Sequence, residues 1–233
     1  MRRLVQTFEI KDFSSSIAKS AMMRKLLKFT LQLLVVVAFS SASAGSYDDL
    51  FVAVIRDDAS GLRKLLRQGV DPNSRDPKGM PALSVAIKRE SPRAFELLLA
   101  HPAIDVDATN AAGETALMLT AIAGDLDASQ QLVARGAKVQ FPGWSPIHYA
   151  ASGPSTRLVQ WLLENGAQID ADSPNGTTPL MLAAQHAPVA TVELLLKRGA
   201  DTRRRNQRGL QAIDYAELGG RDFLVERFEK LPR

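Results

Sequence analysis

From residue 47 onward, apolar positions recur along the chain at helical spacing in short blocks. Phe95, Leu98 and Leu99, then Leu158, Trp161 and Leu162, then Val192, Leu195 and Leu196 fall three and four residues apart. Each block therefore presents one apolar stripe to a core, the mark of an amphipathic helix. Pro92, Pro154 and Pro188 stand where these helices are expected to open, since the first turn has no use for the missing N–H. Gly69, Gly136, Gly166 and Gly199 follow their ends, where a helix stops in the left-handed region. A second set of blocks carries paired alanines, Ala150-Ala151 and Ala183-Ala184, small enough for neighbouring helices to approach closely.

The blocks repeat as units. Five segments align on one glycine each: Gly79 to Ala86, Gly113 to Ala121, Gly143 to Ala151, Gly176 to Ala184 and Gly209 to Ala216. The steps between those glycines are 34, 30, 33 and 33 residues. Gly143-Trp-Ser-Pro-Ile-His-Tyr-Ala-Ala151 and Gly176-Thr-Thr-Pro-Leu-Met-Leu-Ala-Ala184, each followed by Leu-Leu-x-x-Gly-Ala, resemble the ankyrin-repeat family, whose unit is about 33 residues long. The likeness covers nearly everything from Tyr47 to the C-terminus. It implies an all-α solenoid of helix-turn-helix units joined by short β-hairpin or loop fingers. Six repeats are expected, over about 46–76, 77–109, 110–140, 141–173, 174–206 and 207–230, within a domain of residues 45–233. The first and last lack the Thr-Pro start, as suits caps with one neighbour only.

In Ser145-Pro146 and Thr178-Pro179, the hydroxyl caps a helix and the proline occupies its first turn. Two departures stand out. His101-Pro102-Ala103 replaces the glycine turn and lengthens that loop by one residue. The link Val139 to Gly143 is short by about three residues, so that finger is expected to be truncated and tilted.

Residues 1–44 read differently. Arg24, Lys25 and Lys28 precede an uncharged apolar stretch from Phe29 to Phe39, and Ala42-Ser43-Ala44 offers a small-x-small cleavage site. These are the three parts of a secretory signal, with cleavage expected after Ala44. The apolar stretch falls short of the roughly 20 residues that cross a bilayer. An uncleaved anchor over 29–39 remains an alternative, as does initiation at Met22 or Met23 rather than Met1.

Charge narrows the picture further. The chain has 29 Lys+Arg against 25 Asp+Glu and a pI near 9.5. Seven of the basic and two of the acidic residues lie in 1–44, leaving 22 basic and 23 acidic groups beyond it. The basic excess belongs to the leader, which argues against a nucleic-acid partner. With no cysteine, disulfides, thiolate metal sites, thiol nucleophiles and a lipoprotein anchor drop out. His101, His148 and His186 show no ligand spacing, and His148 falls where the family's histidine braces its turn. No catalytic constellation, cofactor or metal is expected.

What remains is binding. Proteins of this family hold protein partners on their finger tips and the concave face of the first helices, and a rigid surface binds with little ordering cost. Carried onto this sequence, those positions are Lys78, Met80, Lys88, Arg89, Glu114, Trp144, Ser152, Thr177, Gln185 and His186. To them is added the run Arg203-Arg204-Arg205. Trp144 is the expected anchor, with local packing over Phe141-Pro142 as the alternative. The expectation is a monomeric, non-catalytic protein-binding module, periplasmic or secreted. A membrane-tethered scaffold and a secreted effector that binds a host protein stay open beside it.

Overall fold

The computed structural model describes residues 47–231, and the expected leader lies outside them. Twelve helices run through these residues. The first helices of the successive pairs are α1 (47–55), α3 (Ala82–Lys88), α5 (Ala116–Ala123), α7 (Pro146–Ser152), α9 (Pro179–His186) and α11 (Ala212–Leu218). The second helices are α2 (Ala59–Arg67), α4 (Pro92–Leu99), α6 (Leu126–Ala134), α8 (Thr156–Glu164), α10 (Val189–Lys197) and α12 (Asp222–Glu229). Within the unit Leu50–Arg233, α3, α5, α7, α9 and α11 pack in sequence as one row, while α2 packs on α4 and α8 on α10 in the other. None of these helices is long and apolar enough to cross a membrane.

Helices of seven to nine residues are too short to stand alone in water, so tertiary burial must hold them. Leu62, Leu98, Leu117, Leu132, Ile147, Leu158, Leu162, Leu180 and Leu195 are fully buried, and the alanines between them bring the rows together. Gly153, at the end of α7, marks one of the close approaches. A Cβ there would lie 2.9 Å from the Ile122 carbonyl oxygen of α5.

Local chemistry sets the helix starts. Thr115 and Thr178 accept from the N–H groups of Met118 and Met181 at 3.3 and 3.4 Å. At Ser145 the cap works in reverse, because its N–H donates to His148 Nδ1 at 3.2 Å. The expectation that three prolines open second helices needs correction. Pro92 is the first residue of α4, but Pro188 is the cap residue of α10 and Pro154 stands before the cap of α8. Ser155 takes that cap, its hydroxyl accepting from the Leu158 N–H at 3.2 Å.

Four fingers share one turn. The N–H of Gly79, Gly113, Gly176 and Gly209 donates to the carbonyl of Asp76, Asn110, Ser173 and Asn206, and each of these returns a bond from its own N–H four residues on. They are loops more than hairpins, with a single isolated bridge, Arg75 to Pro81, among the described residues. Around the shortened link 139–143, Ser145 Oγ reaches back to the Val139 carbonyl at 3.5 Å instead.

Neighbouring repeats are also stitched by polar contacts. Side chains of Asn73, Asp107, Gln140 and Asp170 accept from the backbone N–H of Asp105, Lys138, Gln168 and Asp201 in the next repeat, at 2.8–3.2 Å. Asp57 caps the following α4, taking the Ala94 N–H at 2.8 Å and the Arg93 guanidinium at 3.0 Å. Partial burial opposes its charge, yet these bonds keep its carboxyl below the ordinary value. The glycine-free turn at His101 is held from outside, by Arg135 donating to the Leu99 and His101 carbonyls at 3.0 and 2.9 Å.

Candidate binding groove

Three expected surface residues converge. Glu114, Trp144 and Ser152 line one open groove with Ile122, Tyr149 and Leu182, over the buried ring of His148. The register of the repeat explains this. Glu114 and Trp144 directly follow their finger glycines, Tyr149 and Leu182 come six residues after theirs, and Ile122 and Ser152 come nine after. Neighbouring repeats stack these columns side by side, so α5, α7 and α9 floor the groove and Trp144 overhangs it.

Trp144 is 38% exposed and meets the rings of His148 and Tyr149 edge-on, with centroids at 5.3 and 6.4 Å. It packs on its own helix and still offers surface. His148 is fixed from both sides: Nδ1 accepts from Ser145, and Nε2 lies 2.9 Å from the Ala171 carbonyl. An acceptor at Nδ1 and a donor at Nε2 define one neutral tautomer. Burial pushes its pKa down, against the opposing pull of the backbone bonds and of Asp172. Burial raises the Tyr149 phenol to about 12, and the charge of the neighbouring Glu114 carboxylate adds to the rise. Glu114 also accepts from Asn110 Nδ2 at 2.7 Å. The groove encloses about 290 Å3 and is open along its length. Small-molecule pockets run from roughly 300 to 1,000 Å3, so this one suits one or two side chains of a partner.

The other expected positions lie apart from it. Lys78 is exposed on the first finger, Met80 is half-buried beside it, and Lys88 and Arg89 are exposed at the end of α3. Gln185 and His186 end α9, half-buried and exposed, outside the groove lining. Thr177, expected at the surface, is buried. Its hydroxyl pairs with Tyr215 OH at 3.1 Å, because this repeat places a threonine where the previous one places Trp144.

The arginine run is largely occupied with its own finger and the one before it. Arg203 Nε contacts Asp201 at 3.3 Å, Arg204 pairs with Asp172, and Arg205 donates to the Gly209 carbonyl at 2.7 Å. The Asp172 bond raises the Arg204 pKa, and the backbone N–H of Arg203 holds Asp201 below its ordinary value. Arg75 makes the same brace to Gly79 at 2.9 Å, four residues before its glycine as Arg205 is before Gly209. Among the described residues no group of three or more histidines and carboxylates is placed to hold a metal ion.

The sequence reading missed Ile122, Tyr149 and Leu182. Ile122 was within reach, since it shares the register of Lys88, Ser152 and Gln185. At that register the last repeat carries Leu218, 60% exposed.

The family description "Ankyrin repeats (3 copies)" matches residues 50–142 and 139–206. The B-cell lymphoma 3 protein homolog of Mus musculus is 30% identical over 164 residues, 67% of this chain and 37% of that protein. The transient receptor potential cation channel subfamily A member 1 of Homo sapiens is 28% identical over 65% of this chain and 14% of its own. The chain thus spans well under half the length of these relatives. The solved ankyrin repeat domain of Bcl-3 superposes with a TM-score of 0.62 at 29% identity, over 76% of this chain and 81% of that one. A chain of the complex between the predatory endopeptidase Bd0816 of Bdellovibrio bacteriovorus and immunity protein Bd3460 superposes at 0.68 over 79% and 98%. Its identity of 23% bears on the fold alone. With both halves of the repeat in register and the family matched along most of its length, this chain belongs to the ankyrin-repeat family.

Proposed function

We propose that this protein is a non-catalytic, monomeric binding module that holds a protein partner in the groove around Trp144. One observation carries the reading: a partly exposed tryptophan overhangs a row of apolar side chains that no other part of the described chain covers. Tryptophans in such positions dominate interface energies out of proportion to their area. That a chain of the same fold occurs in a complex of an endopeptidase with an immunity protein is consistent with a partner-holding role, without naming a partner here. Export belongs to the proposal too, and the order of charge, apolar stretch and Ala42-Ser43-Ala44 supports it.

Affinity capture from an envelope fraction, with protein made from the full chain, tests the binding. Trp144→Ala is expected to weaken capture of the enriched partner by at least about tenfold. Reversing the charges of Arg203, Arg204 and Arg205 is expected to matter less. Equal capture by the Trp144 variant and the parent sinks the assignment. Mass spectrometry of the mature N-terminus tests export, where Gly45 is expected. An intact start at Met1, Met22 or Met23 would favour the tethered scaffold.

A further inference from the structure

We propose that the groove is built to receive a cationic side chain, arginine or lysine, from an extended and otherwise apolar partner segment. Glu114 would be its counter-ion, and Trp144 and Tyr149 its walls. This rests on the partner-binding reading above and deepens it.

The lining is chemically one-sided. Glu114 is its one charged side chain, and Ile122, Leu182 and the two aromatic rings supply most of the rest. Behind them His148 sits in the neutral form that its hydrogen bonds define. Lys88 and Arg89 belong to the end of α3, and among the described residues no cation lines the groove beside the carboxylate.

Glu114 is held ready without being used up. Asn110 fixes it in place, donating from Nδ2 to its carboxylate at 2.7 Å and accepting its backbone N–H at 3.0 Å. A carboxylate offers about four lone-pair sites, which leaves acceptor capacity for an incoming donor. The residue is half-buried, where an ion pair is screened less than at the open surface. The aromatic pair adds a second attraction. The planes of Trp144 and Tyr149 cross at 74°, forming a corner. Aromatic faces attract cations through the ring quadrupole, tryptophan most strongly. A negatively charged partner would meet only repulsion at Glu114. A purely apolar one would cover that carboxylate and leave part of it without water or a donor, which costs free energy. A cation flanked by apolar residues satisfies both the carboxylate and the exposed Ile122.

The test uses isotopically labelled protein purified from cells that express the full chain. The probe is the peptide acetyl-Gly-Leu-Arg-Leu-Gly-amide, with twins carrying norleucine or glutamate in place of arginine. NMR follows the indole N–H of Trp144. The arginine peptide is expected to shift that signal at concentrations about tenfold lower than the norleucine twin, and the glutamate twin to leave it unmoved. Glu114→Gln should bring the arginine peptide down to the level of the norleucine twin. Ile122→Glu, which adds a second carboxylate at an exposed position, should tighten arginine binding. Unchanged amide signals outside the groove certify the fold of both variants.

Equal binding of the arginine and norleucine peptides overturns the proposal, as does a preference that survives Glu114→Gln. So does a Trp144 signal that none of the peptides moves. If captured partner still depends on Trp144 but not on Glu114, the docking surface stands and only the cation is lost. If capture ignores Trp144 as well, both readings fall.

Discussion

The groove around Trp144 and the finger of arginines 203–205 are the two most conspicuous surfaces in the sequence, and the fold treats them in opposite ways. The finger turns inward chemically. Arg204 finds Asp172 in the preceding repeat, Arg203 finds Asp201, and Arg205 braces its own turn. Two of the three charges thus stand beside a carboxylate, and the third is engaged by a backbone carbonyl. The groove does the reverse. Its shortened link lacks the shared turn of the other fingers, and Trp144 follows it onto the surface of α7, 38% exposed. A run of like charges is a poor guide to a binding surface when acidic residues stand one repeat away. A lone aromatic beside an atypical turn is a better one.

The largest effect should come from beneath the groove. Ile147 lies fully buried in α7, and Ile147→Ala is expected to cost about 2–5 kcal/mol in denaturant unfolding. A cost below about 1 kcal/mol would mean that the floor is looser than its packing indicates.

Next comes pH. Burial depresses the pKa of His148 below its ordinary value of 6.5, so the unfolded chain takes up this proton before the folded one does. The stability contribution is fully present above pH 6.5 and is lost as pH falls through the folded pKa. Carboxylates held low, such as Asp57, Asp58 and Asp201, lose theirs only further down, below their ordinary 3.8. Unfolding midpoints between pH 7 and 5 should therefore fall in the parent, with a flatter profile in His148→Gln. The same slope in both would remove the histidine from the account.

The finger should be far quieter. The Arg204–Asp172 pair is 39% and 55% exposed, and Arg204→Ala is expected to change stability by less than about 1 kcal/mol. A larger loss would make the finger a structural support and narrow the contrast with the groove. Smallest of all is Ser84, which holds in α3 the register of His148 in α7. Its hydroxyl is buried without a hydrogen-bond partner. Ser84→Ala removes an unsatisfied group, so its melting temperature should equal or slightly exceed the parent's. A clear decrease would reveal a bond to that hydroxyl.

Much of the fold was legible because its determinants are local. The glycine register, the apolar stripes, the Thr178-Pro179 start and the Ser145 bond to His148 each lie within a few residues of what they control. Legibility failed where a neighbour decides. Pro154 looked like a helix start until Ser155 took the cap. Thr177 shares its register with Trp144, yet Tyr215 of the following repeat buries it. The Asp57 cap on α4 joins residues 37 apart, a distance no periodicity reports.

By itself, then, the sequence determined the unit: its length, its two helices, its turns, and the need to stack that follows from stripes too short to bury alone. Only the tertiary structure decided which surface residues meet. Stacking brings columns from different repeats together, and each side chain settles on the partner that geometry offers. Arg204 met a carboxylate and was paired with it. Trp144, edge-on to His148 and Tyr149 of the helix it precedes, was left partly facing out.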